Sequence, residues 1–104
     1  MAEFEFACKK SEVPDGSIKL VELEDRIVIV FRNGDQFCCI DDVCTHDGGT
    51  LSEGELEGGT IACPRHGAKF DICSGKALTM PAIEDTIAHD LKIEDDDIFV
   101  RINE

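Results

Sequence analysis

The stretch that decides the fold begins Cys44-Thr45-His46-Asp47-Gly48-Gly49 and ends Cys63-Pro64-Arg65-His66-Gly67-Ala68-Lys69-Phe70-Asp71, with sixteen residues between His46 and Cys63. Each end carries one cysteine and one histidine, spaced C-x-H and then C-x2-H. Ligands so close in sequence cannot grip a metal from opposite sides, so two loops must converge to complete one site with two sulfur and two nitrogen donors. A structural zinc ion accepts the same donor set, but its usual spacing, C-x2-4-C with H-x3-5-H, pairs like with like. Here each loop mixes the two types. Glycine also follows each histidine within two residues, at Gly48 and Gly67, which lets the backbone fold closely around a bulkier group.

These loops resemble those of the Rieske iron-sulfur family, in which two cysteines bind one iron of a [2Fe-2S] cluster and two histidines bind the other. The resemblance implies that Cys44 and Cys63 ligate one iron and His46 and His66 the second, with one cluster per chain. Replacing two thiolates by neutral imidazoles removes negative charge and makes reduction easier. High-potential family members carry an extra cysteine in each loop, joined as a disulfide clamp, and hydroxyl side chains that hydrogen-bond to the sulfur atoms. Gly49 and Arg65 stand at the clamp positions, and Ala68 and Phe70 at the hydroxyl positions. The resemblance therefore implies a potential near the low end of the Rieske range, about −150 mV, unsuited to quinol oxidation.

Outside the loops, the composition is that of a small acidic carrier. A chain of 104 residues makes one domain with a modest core, helped by a metal that ties distant loops together. The net charge of −13 excludes the basic footprint that nucleic acid requires and suits brief docking on a basic protein surface. Acidic residues gather at Glu53, Glu55 and Glu57 and in the run Glu94-Asp95-Asp96-Asp97. There is no signal-like amino terminus, and no stretch approaches the roughly twenty apolar residues of a membrane span, so a cytoplasmic protein with no membrane partner is expected. Of the six cysteines, Cys8, Cys38, Cys39 and Cys73 remain after the site is assigned, and all are expected as small buried thiols, with a redox-sensing role as the alternative. Cys38 and Cys39 are neighbours in a strand, so their side chains point to opposite faces. His89 has no cysteine nearby and is expected to be structural or exposed.

The local patterns predict an all-β chain. Phe4, Phe6 and Cys8 alternate with Glu3, Glu5 and Ala7 before a turn at Pro14-Asp15-Gly16. Strands follow over 17–23 and 26–32, the latter carrying Ile27-Val28-Ile29-Val30-Phe31, apolar on both faces as a covered central strand should be. Asn33-Gly34 predicts a hairpin into a strand over 36–40. Gly58-Gly59 predicts a second hairpin between Leu56 and Ile61, and the chain closes with strands over 87–93 and 98–102. The resemblance covers nearly the whole chain and implies an antiparallel β-sandwich: base strands at about 1–42 and 76–104, and a small cluster-binding subdomain of two loops at about 43–75. It also implies that Leu78-Thr79-Met80-Pro81-Ala82 is the proline loop that covers the cluster.

A fully coordinated cluster leaves no open position for substrate, so a one-electron carrier is expected rather than an enzyme. The resemblance is to the ferredoxin components of bacterial aromatic-ring-hydroxylating dioxygenase systems. It implies a monomer that accepts electrons from an NAD(P)H-dependent flavoprotein reductase and passes them to a terminal Rieske oxygenase. Two other functions fit the sequence: a relative of the nitrite reductase small subunit, and a redox or iron sensor whose cluster state controls a binding partner.

Overall fold

The computed structural model describes residues 3–42, 50–64, 67–79 and 85–103. Among the described residues, nine strands form three antiparallel sheets of three strands each, and the only helical element is a single 3-10 turn at Lys10–Glu12. The all-β expectation is met. Beyond a two-sheet sandwich, however, a central sheet is packed on both faces.

That central sheet has the order β2 (Ile18–Leu23), β3 (Arg26–Asn33), β4 (Gln36–Asp41). Side chains alternate across a strand, so a strand buried on both sides must be apolar throughout. In β3, Val28 and Val30 enter one core with Cys8, Val13, Cys39, Ile98 and Val100. Ile29 and Phe31 enter the other with Ile40, Leu51, Ile61, Phe70 and Ile72. Each such side chain contributes about 1.5–3 kcal/mol by leaving water, which is why the continuous apolar run belongs in the middle layer.

The first outer sheet joins both ends of the chain in the order β1 (Glu5–Lys9), β9 (Asp97–Arg101), β8 (Asp90–Glu94). The alternation expected of Phe4, Phe6 and Cys8 is broken here. Phe6 pairs with Phe99 and Cys8 with Ile98, so Ala7 is the extra residue of a bulge. As a result Phe6 is 51% exposed whereas Cys8 is buried at 1%. The hairpin between β3 and β4 also differs from expectation by one residue. Asn33 pairs with Gln36, leaving Gly34 and Asp35 as the turn; Gly34 takes the positive φ of 64° and donates its N–H to Asp15 Oδ1 at 2.6 Å.

His89 joins the end of the chain to β4 and is structural. Asn103 N–H donates to its Nδ1 at 3.0 Å, so the ring proton sits on Nε2, which faces Asp41 Oδ1 at 2.6 Å. Arg26 donates to the Asn103 carbonyl at 2.9 Å, and the Asn103 amide donates to the Ala88 carbonyl at 2.9 Å. The His89 backbone N–H donates to the Cys39 carbonyl at 2.9 Å, completing the seam between central and outer sheets.

The second outer sheet, β5 (Glu55–Glu57), β6 (Thr60–Ala62) and β7 (Lys69–Asp71), is built from strands of three residues. Leu56 pairs with Ile61 across Gly58-Gly59 as expected, with Gly58 at φ 63°. These strands carry the second cysteine-histidine loop between β6 and β7.

Candidate metal centre

Cys63 is placed by the short hairpin that surrounds it. β6 ends at Ala62, and the Cys63 N–H then donates to the Ala68 carbonyl at 2.7 Å while Gly67 N–H donates to the Cys63 carbonyl at 3.0 Å. Gly67 closes this turn at φ 72°, a conformation that a side chain would strain. The Cys63 thiol is 2% exposed and takes part in no disulfide. It lines a cavity of about 350 Å³ with Glu53, Gly54, Glu55, Ala62, Pro64 and Gly67.

Glycine is required at position 54 for a different reason. A Cβ there would lie 1.7 Å from the Ala62 carbonyl oxygen, so the turn after Leu51 approaches the β6 backbone closer than any side chain permits. That approach brings the return of the first loop beside Cys63.

The first loop leaves the central sheet at Asp42 and returns at Leu51, and one buried carboxylate holds both ends. Asp42 Oδ1 accepts the N–H groups of Leu51 at 2.8 Å and Ser52 at 2.7 Å, and Oδ2 accepts the Ser52 hydroxyl at 2.8 Å. Asp42 is 6% exposed and Leu51 fully buried. Sequence alone does not single out Asp42, since two adjacent aspartates carry no local mark of burial. Its position directly before the loop, ten residues ahead of Ser52, was the available signal.

Of the four expected ligands, only Cys63 falls among the described residues. Cys44, His46 and His66 lie outside them, as do Gly49 and Arg65 at the clamp positions and Met80-Pro81-Ala82 of the proline loop. The described surroundings fit an iron-sulfur cluster: a buried unpaired thiol lines a cavity next to both loop stems. Ala68 and Phe70, each fully buried, offer that site no hydroxyl.

The remaining cysteines divide. Cys8 and Cys39 are buried thiols as expected, their pKa values pushed up to about 11 and about 12 chiefly by burial. Cys38 and Cys73 do not meet that expectation, for they form a disulfide with a Cα–Cα distance of 4.9 Å. The opposite facing of Cys38 and Cys39 is what permits this. Cys39 enters the core under the first outer sheet, while Cys38 turns towards Cys73 beneath the second.

Comparison with known proteins agrees with this geometry. The model of the Rieske [2Fe-2S] domain matches residues 3–94. The 3-phenylpropionate/cinnamic acid dioxygenase ferredoxin subunit of Photorhabdus laumondii is 35% identical over 100 residues, covering 95% of this chain and 94% of that protein. Its counterpart in Escherichia coli K12 is 34% identical over 100 residues. Among solved structures, a complex of reduced oxygenase and oxidized ferredoxin in carbazole 1,9a-dioxygenase contains a chain that matches with a TM-score of 0.87 at 31% identity, covering 94% of this chain and 92% of that one. The Sphingomonas yanoikuyae B1 ferredoxin matches with a TM-score of 0.88 at 27% identity, covering 97% of this chain and 100% of that one.

Proposed function

This chain belongs to the Rieske [2Fe-2S] family and is an electron-transfer protein of the dioxygenase-ferredoxin type, and we propose that Cys44, His46, Cys63 and His66 hold its cluster. The observation that carries the reading is the match to dioxygenase ferredoxin subunits over 94% of the relative's length in a chain that keeps both cysteine-histidine pairs.

When bound, a [2Fe-2S] cluster takes up and releases one electron at a time. The protein's own residues set where and how readily this happens. Burial of Cys63 excludes water from the sulfur side, and the Cys63–Ala68 and Cys63–Gly67 backbone hydrogen bonds fix its main chain in the turn before β7. Asp42 fixes the stem from which Cys44 and His46 extend. Ala68 and Phe70 provide no side-chain donor to stabilise added negative charge, and Glu53 and Glu55 at the cavity oppose it, so the chain favours a low potential.

The proposed electron path runs from an NAD(P)H-dependent flavoprotein reductase, through the histidine end of the cluster, to a terminal Rieske oxygenase that hydroxylates an aromatic ring. Support comes from the oxygenase-ferredoxin complex among the structural matches. The carrier works as a monomer in the cytoplasm; no helix among the described residues is long and apolar enough to cross a membrane.

Low-temperature EPR before and after dithionite tests the cofactor site, with iron and acid-labile sulfide counted on the same anaerobic sample. A rhombic reduced signal with about two irons and two sulfides per chain is expected. Colourless protein holding a single zinc ion would overturn the ligand assignment. Sustained electron flux from reductase to oxygenase, dependent on added ferredoxin, separates a carrier from a sensor, which need only change its partner affinity.

A further inference from the structure

The Cys38–Cys73 disulfide closes a ring over the segment that matters most to the cofactor. Its two cysteines are separated by 35 residues, and Cys44, His46, Cys63 and His66 all lie between them. At one end Cys38 sits in β4 of the central sheet; at the other Cys73 sits in the turn that leaves β7. The bond therefore ties the sheet carrying Cys63 to the layer beneath it, where β5, β6 and β7 are otherwise seated by side-chain packing. Cys38 is 8% exposed and Cys73 half-buried, so Cys73 is the sulfur that a small molecule reaches first. The chain thus holds a covalent link between cluster sheet and base at positions distinct from Gly49 and Arg65.

We propose that Cys38 and Cys73 form a second redox centre, a two-electron disulfide-dithiol pair that exchanges with low-molecular-weight thiols and whose oxidised form retains the cluster. Formation proceeds by thiol-disulfide exchange. The Cys73 thiolate attacks one sulfur of a small-molecule disulfide, forming a mixed disulfide and releasing one thiolate. The Cys38 thiolate then attacks the Cys73 sulfur, which closes the protein disulfide and releases the second. Cys38 and Cys73 lose two electrons and two protons, and the small disulfide gains both as two thiols. Two small thiols reverse the sequence. In the dithiol form the ring opens, the short outer sheet separates more readily from the central one, and the cluster becomes easier to remove. The retention step rests on the cluster reading above, whereas the exchange itself does not.

The cluster-loaded full chain, equilibrated anaerobically in mixtures of glutathione and glutathione disulfide, provides the test. Samples are acid-quenched, unfolded, alkylated and mapped by mass spectrometry. A Cys38–Cys73 linked peptide that disappears as glutathione is increased is expected; both cysteines alkylated at every ratio, or linked at every ratio, would overturn reversible exchange. Cluster release to an iron chelator, followed by visible absorbance, is expected to be several-fold slower from the disulfide than from the dithiol. Cys38→Ala and Cys73→Ala chains should release it at the dithiol rate whatever the ratio. Equal release from all forms would overturn the retention role. Iron and sulfide counts before each run, with the glutathione-independent EPR signal, separate this result from a failure of the cluster assignment.

Discussion

The two faces of the central sheet both bury an apolar core and differ in the strands that cover it. On the base side, β1, β8 and β9 are five-residue strands whose apolar side chains interlock with Val28 and Val30. On the cluster side, three-residue strands are joined by glycine turns and secured by a buried carboxylate, a close backbone approach and a disulfide. Long ladders with an apolar face have their register set by burial, because sliding them by one residue would expose the whole face, and the buried His89–Asp41 contact adds a directional tie at the seam. Very short strands have little register to lose, so directional and covalent ties supplement their packing. Both sides thus contribute burial, and the cluster side adds ties that fix the stems of the two loops that carry the proposed ligands.

The strongest attempt to break this division is Ile98→Ala. Ile98 is fully buried between the base sheet and the central sheet. Truncation should lower global stability by about 2–5 kcal/mol, measured by urea unfolding, while the protein that remains folded keeps its full iron content. Loss of iron from folded protein would show that the two sides are not separate in function.

Asp42→Ala acts on the opposite side. It leaves the Leu51 and Ser52 N–H groups and the Ser52 hydroxyl without their acceptor, at a cost of about 1–3 kcal/mol. The effect should be concentrated locally, as faster amide exchange at Leu51 and Ser52 and lower cluster occupancy, with Asp42→Asn intermediate. Uniformly faster exchange in β8 and β9 as well would place Asp42 in the global core instead.

Ala68→Ser should change stability least and sharpen the comparison in terms of potential. Ala68 lies against Cys63, whose N–H donates to the Ala68 carbonyl at 2.7 Å. A hydroxyl there can donate to sulfur and stabilise the reduced form, raising the potential by an amount on the order of tens of millivolts. Protein-film voltammetry on folded, fully loaded protein reads it directly; an unchanged potential would remove Ala68 from the explanation of a low one.

Much of the fold was legible because local chemistry repeats with the period of a strand. The two-sided apolar run at 27–31 declared a covered central strand, and Gly58-Gly59 declared its hairpin. Displacements arose where pairing overrode pattern: the bulge at Ala7 sends Phe6 outward and Cys8 inward, and the β3–β4 turn settles on Gly34-Asp35. Such shifts depend on what the partner strand presents, which the strand's own residues do not encode.

The site divides along the same line. Residue chemistry and spacing in the paired C-x-H and C-x2-H loops pointed to one metal site with mixed sulfur and nitrogen donors, and their resemblance to the Rieske family pointed to the cofactor class. The alternation of side chains also placed Cys38 and Cys39 on opposite faces before any fold was known. That Cys38 meets Cys73, that Asp42 closes the first loop, and that His89 rests between Asp41 and Asn103 were decided only in three dimensions. Each of those contacts joins residues from different layers or different ends of a loop. Their distance is set by how the three sheets stack, and a side chain's neighbours in sequence carry no record of it.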